Sequence, residues 1–199
     1  MKKDNPMRPV ILLALICFLT TLLLAATNEL TAPTIAKQEQ EALNKQLQTI
    51  FPEGNQFDPL VLSAEVSEAL SAQGADVDSV FLAKSSAGET IGYVFVSSAN
   101  GYAGKVKASV GIRMDGEVVM TVFTAPDETP GLGKRIEEEK FSNQFAGLSS
   151  GSAIVIGFAS GEQKIDAVSG ATISSKGAVE AVNKSFSAFL YLSSEGSLS

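Results

Sequence analysis

The longest uninterrupted apolar segment of the chain is residues 10–26, which read VILLALICFLTTLLLAA and contain no charge. The segment is slightly shorter than the ~20 residues of a typical membrane-spanning helix but lies within the usual range. Lys2, Lys3 and Arg8 precede it. Because basic residues collect on the cytoplasmic side of a membrane, the pattern predicts a single transmembrane anchor at 10–26, a cytoplasmic N-terminus at 1–9, and all later residues outside.

A cleaved signal peptide is the alternative interpretation of this segment. The apolar core of a signal peptide is usually ~7–15 residues long, which is shorter than this one. A small-x-small cleavage site is only weakly present, as Ala25-Ala26-Thr27. We therefore favour an uncleaved anchor.

Helical periodicity predicts a juxtamembrane helix or stalk in residues 27–54. Between residues 29 and 50, apolar side chains recur near helical spacing with Lys, Gln and Glu between them. Pro52 and Gly54 are expected to end this helix. The pattern indicates a solvated stalk with one apolar stripe.

Residues 55–199 carry strand signals followed by a helix signal. A short irregular or helical piece is expected at 56–74. Strands are predicted from β-branched and aromatic runs at 78–84, 90–97, 105–113, 117–124 and 152–160. Asp115-Gly116 predicts a hairpin between the third and fourth of these. A polar helix is expected around 136–145, and an amphipathic helix at 174–192 with Val179, Val182, Phe186 and Phe189 or Leu190 on one face. The sequence therefore predicts an α+β domain with a twisted, mainly antiparallel sheet and flanking helices.

Charge and composition exclude several functions for this domain. Residues 1–26 hold three basic residues and one Asp, a balance of +2; because the whole chain carries −7, residues 27–199 carry −9. An acidic domain repels phosphate backbones, which argues against nucleic acid binding. With no histidine and with Cys17 as the only cysteine, zinc–histidine sites, histidine-ligated haem, Ser-His-Asp hydrolysis and iron–sulfur clusters are excluded. Redox chemistry outside the membrane would need an organic cofactor.

Two loops of small residues are candidates for binding. The stretch DAVSGATISSKG, residues 166–177, is rich in hydroxyls and precedes the last predicted helix. A helix N-terminus favours an anion such as a phosphate, although Ser and Thr are also ordinary helix caps. The second loop, ETPGLG at 128–133, contains Thr129-Pro130-Gly131, an order that fits a type II turn. The two loops could form the floor and wall of a site for a flat ligand.

These motifs together resemble a known family. An N-terminal anchor, GYAG at 101–104, DETPGLG at 127–133 and DAVSGAT at 166–172 resemble the G subunits of Rnf electron-transport complexes and the related C subunits of sodium-pumping NADH:quinone reductases. The resemblance covers nearly the whole chain. The length favours the Rnf subunit, because the quinone-reductase subunit is longer. The family often has a histidine before the Glu-Thr-Pro loop, where this chain has Pro126-Asp127, so that histidine cannot be essential.

The resemblance implies a cofactor and its attachment site. One FMN per chain would be joined through its phosphate to the hydroxyl of Thr172 by a flavin transferase that reads the DAVSGAT signature. The residues implied as recognition and binding context are Asp166, Ser169, Gly170 and Ala171. The residues implied to lie in a loop near the flavin are Glu128, Thr129 and Leu132. Neither a catalytic side chain nor a metal site is implied.

The function implied is that of an electron-carrying flavoprotein in a membrane-bound, ion-translocating complex of the ferredoxin:NAD+ oxidoreductase type. The chain would be one redox subunit among other membrane subunits. One alternative is a quinone-reductase subunit, and another is a non-catalytic extracytoplasmic FMN-binding or scaffold domain. A self-standing extracellular flavin reductase ranks last, because the sequence has no NAD fingerprint.

Overall fold

The computed structural model describes residues 7–157 and 163–196. The chain divides into two compact units, Met1–Lys45 and Gln46–Ser199. Helix α1 spans Met7–Ile50. The basic residues Lys2 and Lys3, on which the predicted orientation depends, lie outside the described residues.

In the first unit, α1 contains one segment, Val10–Ala32, that is long and apolar enough to cross a membrane. Its mean hydropathy is 2.7 over 23 residues. Hydroxyl groups within it donate to carbonyls one turn earlier, as Thr20 does to Ile16 at 2.9 Å and Thr21 to Cys17 at 2.8 Å. These bonds satisfy polar groups that would otherwise face an apolar surrounding. The predicted anchor at 10–26 lies inside this segment.

The second unit is built on an antiparallel sheet in the order β1-β2-β3-β4-β5. Its strands are Gln56–Leu60 (β1), Ser79–Lys84 (β2), Thr90–Asn100 (β3), Lys105–Arg113 (β4) and Val118–Thr124 (β5). Helix α2, Ala64–Ala72, lies between β1 and β2 in sequence. Two short strands, Ile154–Ile156 (β6) and Gln163–Ile165 (β7), pair in parallel. Helix α4, Thr172–Ser194, closes the fold. The α+β prediction is confirmed.

Alternation along β3 and β4 divides the core between the two faces of the sheet. Tyr93 and Phe95 belong to the cluster that packs against α4. On the other face, the end of α1 contributes Leu47, Ile50 and Phe51, which are at most 2% exposed. A hairpin joins β4 to β5, and Gly116 adopts a φ of +89°, as the Asp-Gly signal predicts.

Several elements differ from the sequence expectation. The segment expected to be irregular or helical at 56–74 contains edge strand β1 as well as α2. Pro59 lies within this strand, and a proline normally argues against a strand. It is tolerated here because β1 is at the edge of the sheet. Lys84 hydrogen-bonds Asp58 of β1 at 2.8 Å and thereby lowers the pKa of that carboxyl. Strand β7 was also not predicted.

The helix expected at 136–145 is broken into three short turns. They are a 3₁₀ turn at Gly133–Glu137, one α-helical turn (α3) at Glu139–Ser142 and a second 3₁₀ turn at Asn143–Phe145. The break lets Phe141 and Phe145 pack with Phe123, with ring centroids 5.1–5.4 Å apart. Of the strand expected at 152–160, Ile154–Ile156 is observed, and residues 158–160 lie outside the described range.

Helix α4 begins at Thr172, two residues before its predicted start. Val179, Val182 and Phe186 are buried as expected. Of the two candidates for the last position of this face, Phe189 is buried and Leu190 is 46% exposed.

Candidate functional site

Three turns from distant parts of the sequence surround one cavity of about 440 Å³. They are the turn after β3, the turn after β5, and the turn that leads into α4. The lining residues are Tyr102, Glu128, Thr129, Leu132, Gly133, Gly170, Ala171, Thr172, Ile173 and Ser174. This volume lies within the range of small-molecule sites, ~300–1,000 Å³.

Glu128 links two of these turns. Its side chain is only 2% exposed, and its Oε1 atom accepts hydrogen bonds from the backbone N–H groups of Tyr102 at 2.6 Å and Ala103 at 3.2 Å. These bonds satisfy one carboxylate oxygen and fix the Tyr102 turn against the following one. The side chain therefore holds the two turns together and also forms part of the cavity wall.

Glycines make room for this carboxylate. A Cβ atom added to Gly101 would collide with Glu128 Oε1, and one added to Gly133 would collide with Glu128 Oε2. A Cβ atom at Gly133 would also lie 2.9 Å from Ser174 Oγ, so the start of α4 packs against the same glycine. Only a residue without a side chain fits there.

The turn at Thr129–Leu132 has the predicted type. The N–H of Leu132 donates to the carbonyl of Thr129 at 3.2 Å, and Gly131 adopts a φ of +76°. A positive φ at the third position is the mark of a type II turn, which Pro130 at the second position favours. The turn carries Leu132 to the mouth of the cavity.

The N-terminus of α4 opens onto the cavity without a side-chain cap. Ala171 is the N-cap residue and Thr172 the first helical residue. The nearby Ser175 hydroxyl is used inside the turn: it donates to the carbonyl of Ala171 at 2.9 Å and accepts from the N–H of Val168 at 3.0 Å. The capping role considered for the hydroxyls of the SGAT segment is therefore wrong. The free amides of the first turn leave a place suited to an anion.

Thr172 is exposed, and among the described residues its hydroxyl makes no hydrogen bond. Glu128, Thr129, Leu132, Gly170 and Ala171 line the same cavity. The structure thus brings together six of the eight residues that the sequence proposed as cofactor-binding.

The other two, Asp166 and Ser169, line a neighbouring cavity of about 470 Å³. Gln144 holds the backbone there: its side chain accepts from the N–H of Asp166 at 2.8 Å and donates to the carbonyl of Asp166 at 3.2 Å. Arg135 and Lys140 line the same cavity. Asp166 and Ser169 therefore line a cavity beside the first one and are not among the residues around Thr172.

The mouth of the first cavity is apolar. Tyr102 is 72% exposed, Ile173 53% and Leu132 48%. These three are half of the strongly exposed large apolar side chains among the described residues from Gln46 onward. Clustering of this kind marks a binding surface, whereas single exposed apolar residues are ordinary.

Sequence reasoning did not assign four of the lining residues: Tyr102, Gly133, Ile173 and Ser174. Tyr102 and Gly133 lie within motifs that it did quote, GYAG and ETPGLG. Ser174, at the predicted start of the last helix, was expected to act mainly there; in the structure it is 1% exposed and its hydroxyl faces Gly133. Val182, on the predicted buried face of the helix, lies eight residues after Ser174, and this spacing was an available signal. Within the described ranges, no group of His, Cys, Asp and Glu side chains is arranged to hold a metal ion.

The residues that line the first cavity fall within a segment that matches a known domain. Residues 101–187 match the family model of the FMN-binding domain, and residues 1–50 match that of the RnfG N-terminal region. Among solved structures, the C subunit of the Na(+)-translocating NADH-quinone reductase from Parabacteroides distasonis shares the fold. It has a TM-score of 0.53 and 24% identity, over 69% of this chain and 76% of that one. The match over residues 101–187 defines a protein with an FMN-binding domain.

Curated relatives identify the family. The G subunit of the Na(+)-translocating ferredoxin:NAD(+) oxidoreductase complex from Acetobacterium woodii is 32% identical over 178 residues, covering 85% of this chain and 84% of the relative. The G subunit of the ion-translocating oxidoreductase complex from Shewanella baltica is 35% identical over 153 residues, covering 75% and 72%. The chain belongs to the family of Rnf complex G subunits. The resemblance stated from the motifs is confirmed.

Proposed function

We propose that this chain is the electron-carrying flavoprotein subunit of a membrane-bound, ion-translocating complex of the ferredoxin:NAD+ oxidoreductase type. One FMN would be joined through its phosphate to the Oγ1 atom of Thr172. The observation that carries this proposal is the position of that hydroxyl. It is exposed at the wall of a ligand-sized cavity, at the first residue of α4, and has no structural hydrogen bond among the described residues.

The cavity suits a flavin nucleotide because its two sides differ. Its mouth is apolar, with Tyr102, Leu132 and Ile173, and its floor holds the polar side chains of Glu128 and Ser174. A flat ring system with a hydrophilic chain matches such a division. The phosphodiester at Thr172 would keep one negative charge, which the free amides of the α4 N-terminus favour.

Bound FMN supplies redox chemistry that passes one or two electrons, and this chain's own residues hold and position it. A covalent link retains the cofactor outside the cytoplasm whatever its affinity, and it keeps the ring at high effective concentration near its redox partners. We further propose an N-terminus in the cytoplasm and an extracytoplasmic FMN-binding domain. Other membrane subunits of the complex would be the partners, and a flavin transferase would act during maturation.

The test is to express the full-length chain with an active flavin transferase and measure its intact mass. We expect an increase of one FMN less one water, and flavin fluorescence that survives denaturing electrophoresis. Thr172→Ala should abolish both signals without unfolding the protein, because the side chain is exposed and unbonded. Ser169→Ala is the control: it leaves the acceptor in place and should only weaken attachment.

Two results would contradict the proposal. Fluorescence retained by the denatured Thr172→Ala protein would move the acceptor to another hydroxyl, with Ser169 and Ser174 as the nearest candidates. An unmodified mass for the unmutated chain, produced with a transferase that modifies a control substrate, would refute covalent attachment.

A further inference from the structure

The floor of the cavity contains two polar atoms, on buried side chains, that accept or donate no hydrogen bond within the described part of the chain. Glu128 is 2% exposed and Ser174 is 1% exposed. The amides of Tyr102 and Ala103 occupy Glu128 Oε1, whereas Oε2 accepts no hydrogen bond from the described residues. The Ser174 hydroxyl likewise has no hydrogen-bond partner within the described part of the chain.

These two atoms lie beside one point of the cavity wall. Both flank Gly133: a Cβ atom there would clash with Glu128 Oε2 and would be 2.9 Å from Ser174 Oγ. Among the described residues, Thr121 Oγ1 is the one fully enclosed side-chain polar atom without a hydrogen-bond partner, so Glu128 Oε2 and Ser174 Oγ keep access to the cavity that their residues line. Polar groups in such a site are normally paired by water or ligand. An acceptor-only carboxylate oxygen beside a hydroxyl, which can both donate and accept, is suited to the O–H groups of an alcohol.

We propose that Glu128 Oε2 and Ser174 Oγ form a subsite that binds the hydroxyls of a polyol chain. The carboxylate accepts a hydrogen bond from one hydroxyl, and Ser174 exchanges a hydrogen bond with the same or a neighbouring hydroxyl. The subsite adjoins the first turn of α4, to which Ser174 belongs, and lines the same cavity as the apolar residues of the mouth. In the FMN assignment, on which this inference rests, the ribityl chain would bind here, because it joins the phosphate to the ring.

The subsite gives the cavity a specificity that attachment at Thr172 does not. A covalent bond at Thr172 holds the phosphate but places no restriction on the rest of the ligand. A carboxylate fixed by two backbone amides is already oriented before a ligand arrives, and a charge-assisted hydrogen bond is stronger than a neutral one. The subsite therefore selects a flavin with a hydroxylated chain over the same ring without it.

The test uses the full-length Thr172→Ala chain, which cannot be loaded covalently. Its probes are riboflavin, which has the polyol chain but no phosphate, and lumiflavin, which has the ring with a methyl group in place of that chain. Fluorescence titration should show riboflavin binding more tightly than lumiflavin. A second protein carries Glu128→Gln in addition to Thr172→Ala. The glutamine keeps an oxygen that accepts from the two amides but removes the negative charge, so riboflavin should bind roughly tenfold more weakly.

Ser174→Ala, in the same Thr172→Ala background, is the second variant and should weaken riboflavin binding severalfold. Lumiflavin affinity should be unchanged in both variants, which also reports that the cavity remains folded. Equal affinities of riboflavin and lumiflavin, or no measurable riboflavin binding, would overturn the subsite. The subsite would also be overturned if the two variants lost affinity for riboflavin and for lumiflavin equally. Covalent attachment is measured separately on the unmutated chain by mass, so failure of one proposal is distinguishable from failure of the other.

Discussion

At the scale of single residues, Glu128 sets the shape of the cavity. Its carboxylate accepts hydrogen bonds from the backbone N–H groups of Tyr102 and Ala103, in a turn about 25 residues earlier in the chain. Hydrogen bonds to a charged acceptor contribute ~1.5–3 kcal/mol each, and the loss of this acceptor would leave both donors unpaired. The carboxylate can take this position only because Gly101 and Gly133 have no side chains.

The requirement at Gly133 gives a prediction with a matched control. Gly133→Ala should displace the carboxylate of Glu128, lower stability by ~1–3 kcal/mol and reduce flavin fluorescence of the loaded protein. Gly151→Ala is the control, because the nearest atom to a Cβ there is 3.5 Å away. Neither glycine has a positive φ, so the two changes differ in space and not in backbone strain. Thermal unfolding and flavin emission measure the effect, and equal behaviour of the two variants would contradict it.

At the scale of elements, side chains rather than a regular ladder hold the segment between β7 and α4. Gln144 hydrogen-bonds both backbone groups of Asp166, and Ser175 holds Val168 and Ala171. The N–H of Ala171 also donates to the carbonyl of Val168 at 2.9 Å. The segment that presents Thr172 is therefore anchored separately at its start and at its end.

Amide hydrogen exchange tests this division into two anchors. Gln144→Ala removes the acceptor of the Asp166 N–H, which should then exchange about tenfold faster. The Val168 N–H should stay protected, since Ser175 still accepts its hydrogen bond. Ser175→Ala should produce the reverse pattern. Loss of protection at both amides in the Gln144→Ala protein would show that the segment opens as one unit.

At the scale of the whole molecule, charge and hydropathy are distributed unequally. Basic residues precede the apolar segment, and residues 27–199 carry −9. The described part of α1 contains one segment that could cross a membrane, Val10–Ala32. An acidic domain is repelled by anionic phospholipid headgroups, which argues against binding of the domain itself to an anionic membrane surface.

The proposed orientation can be tested with single cysteines, because Cys17 is the only native one. In a Cys17→Ser background, Ser194→Cys should react with a membrane-impermeant maleimide applied to intact cells. Because Ser194 is exposed, a thiol at this position is accessible to the reagent. Asn5→Cys is the matched control and should react only after the membrane is opened. The opposite pattern would place the FMN-binding domain in the cytoplasm.

The extent of the folded unit gives a further prediction. Leu47, Ile50 and Phe51 are buried in it, and Gly92 and Gly111 leave the space that Ile50 and Phe51 fill. A fragment of residues 46–199 should unfold cooperatively. A fragment of residues 55–199 should lose most of its stability, because removing large buried side chains costs roughly 2–5 kcal/mol each and a domain has only ~5–15 kcal/mol in total. Equal melting temperatures of the two fragments would contradict this.

The sequence alone determined features that depend on local signals. Strands β2 to β5 follow from β-branched and aromatic runs, and the hairpin from Asp115-Gly116. The type II turn follows from Pro130-Gly131, and the apolar segment from an unbroken run of uncharged residues. Each of these preferences acts between residues that are close in the chain, so a short stretch of sequence is enough to predict the feature. The motifs around Thr129 and Thr172 also identified the family, and six of the proposed site residues surround one cavity.

Only the tertiary structure decided the features that depend on distant residues. Glu128 meets Tyr102, Ser174 meets Gly133, and Gln144 holds Asp166 across 22 positions of sequence. Burial and hydrogen bonding of these side chains depend on how three turns converge, which no local propensity encodes. For the same reason, the sequence grouped Asp166 with Thr172, although Asp166 lines the neighbouring cavity. Edge strand β1 escaped detection because pairing with β2, and not the preference of its own residues, makes it a strand.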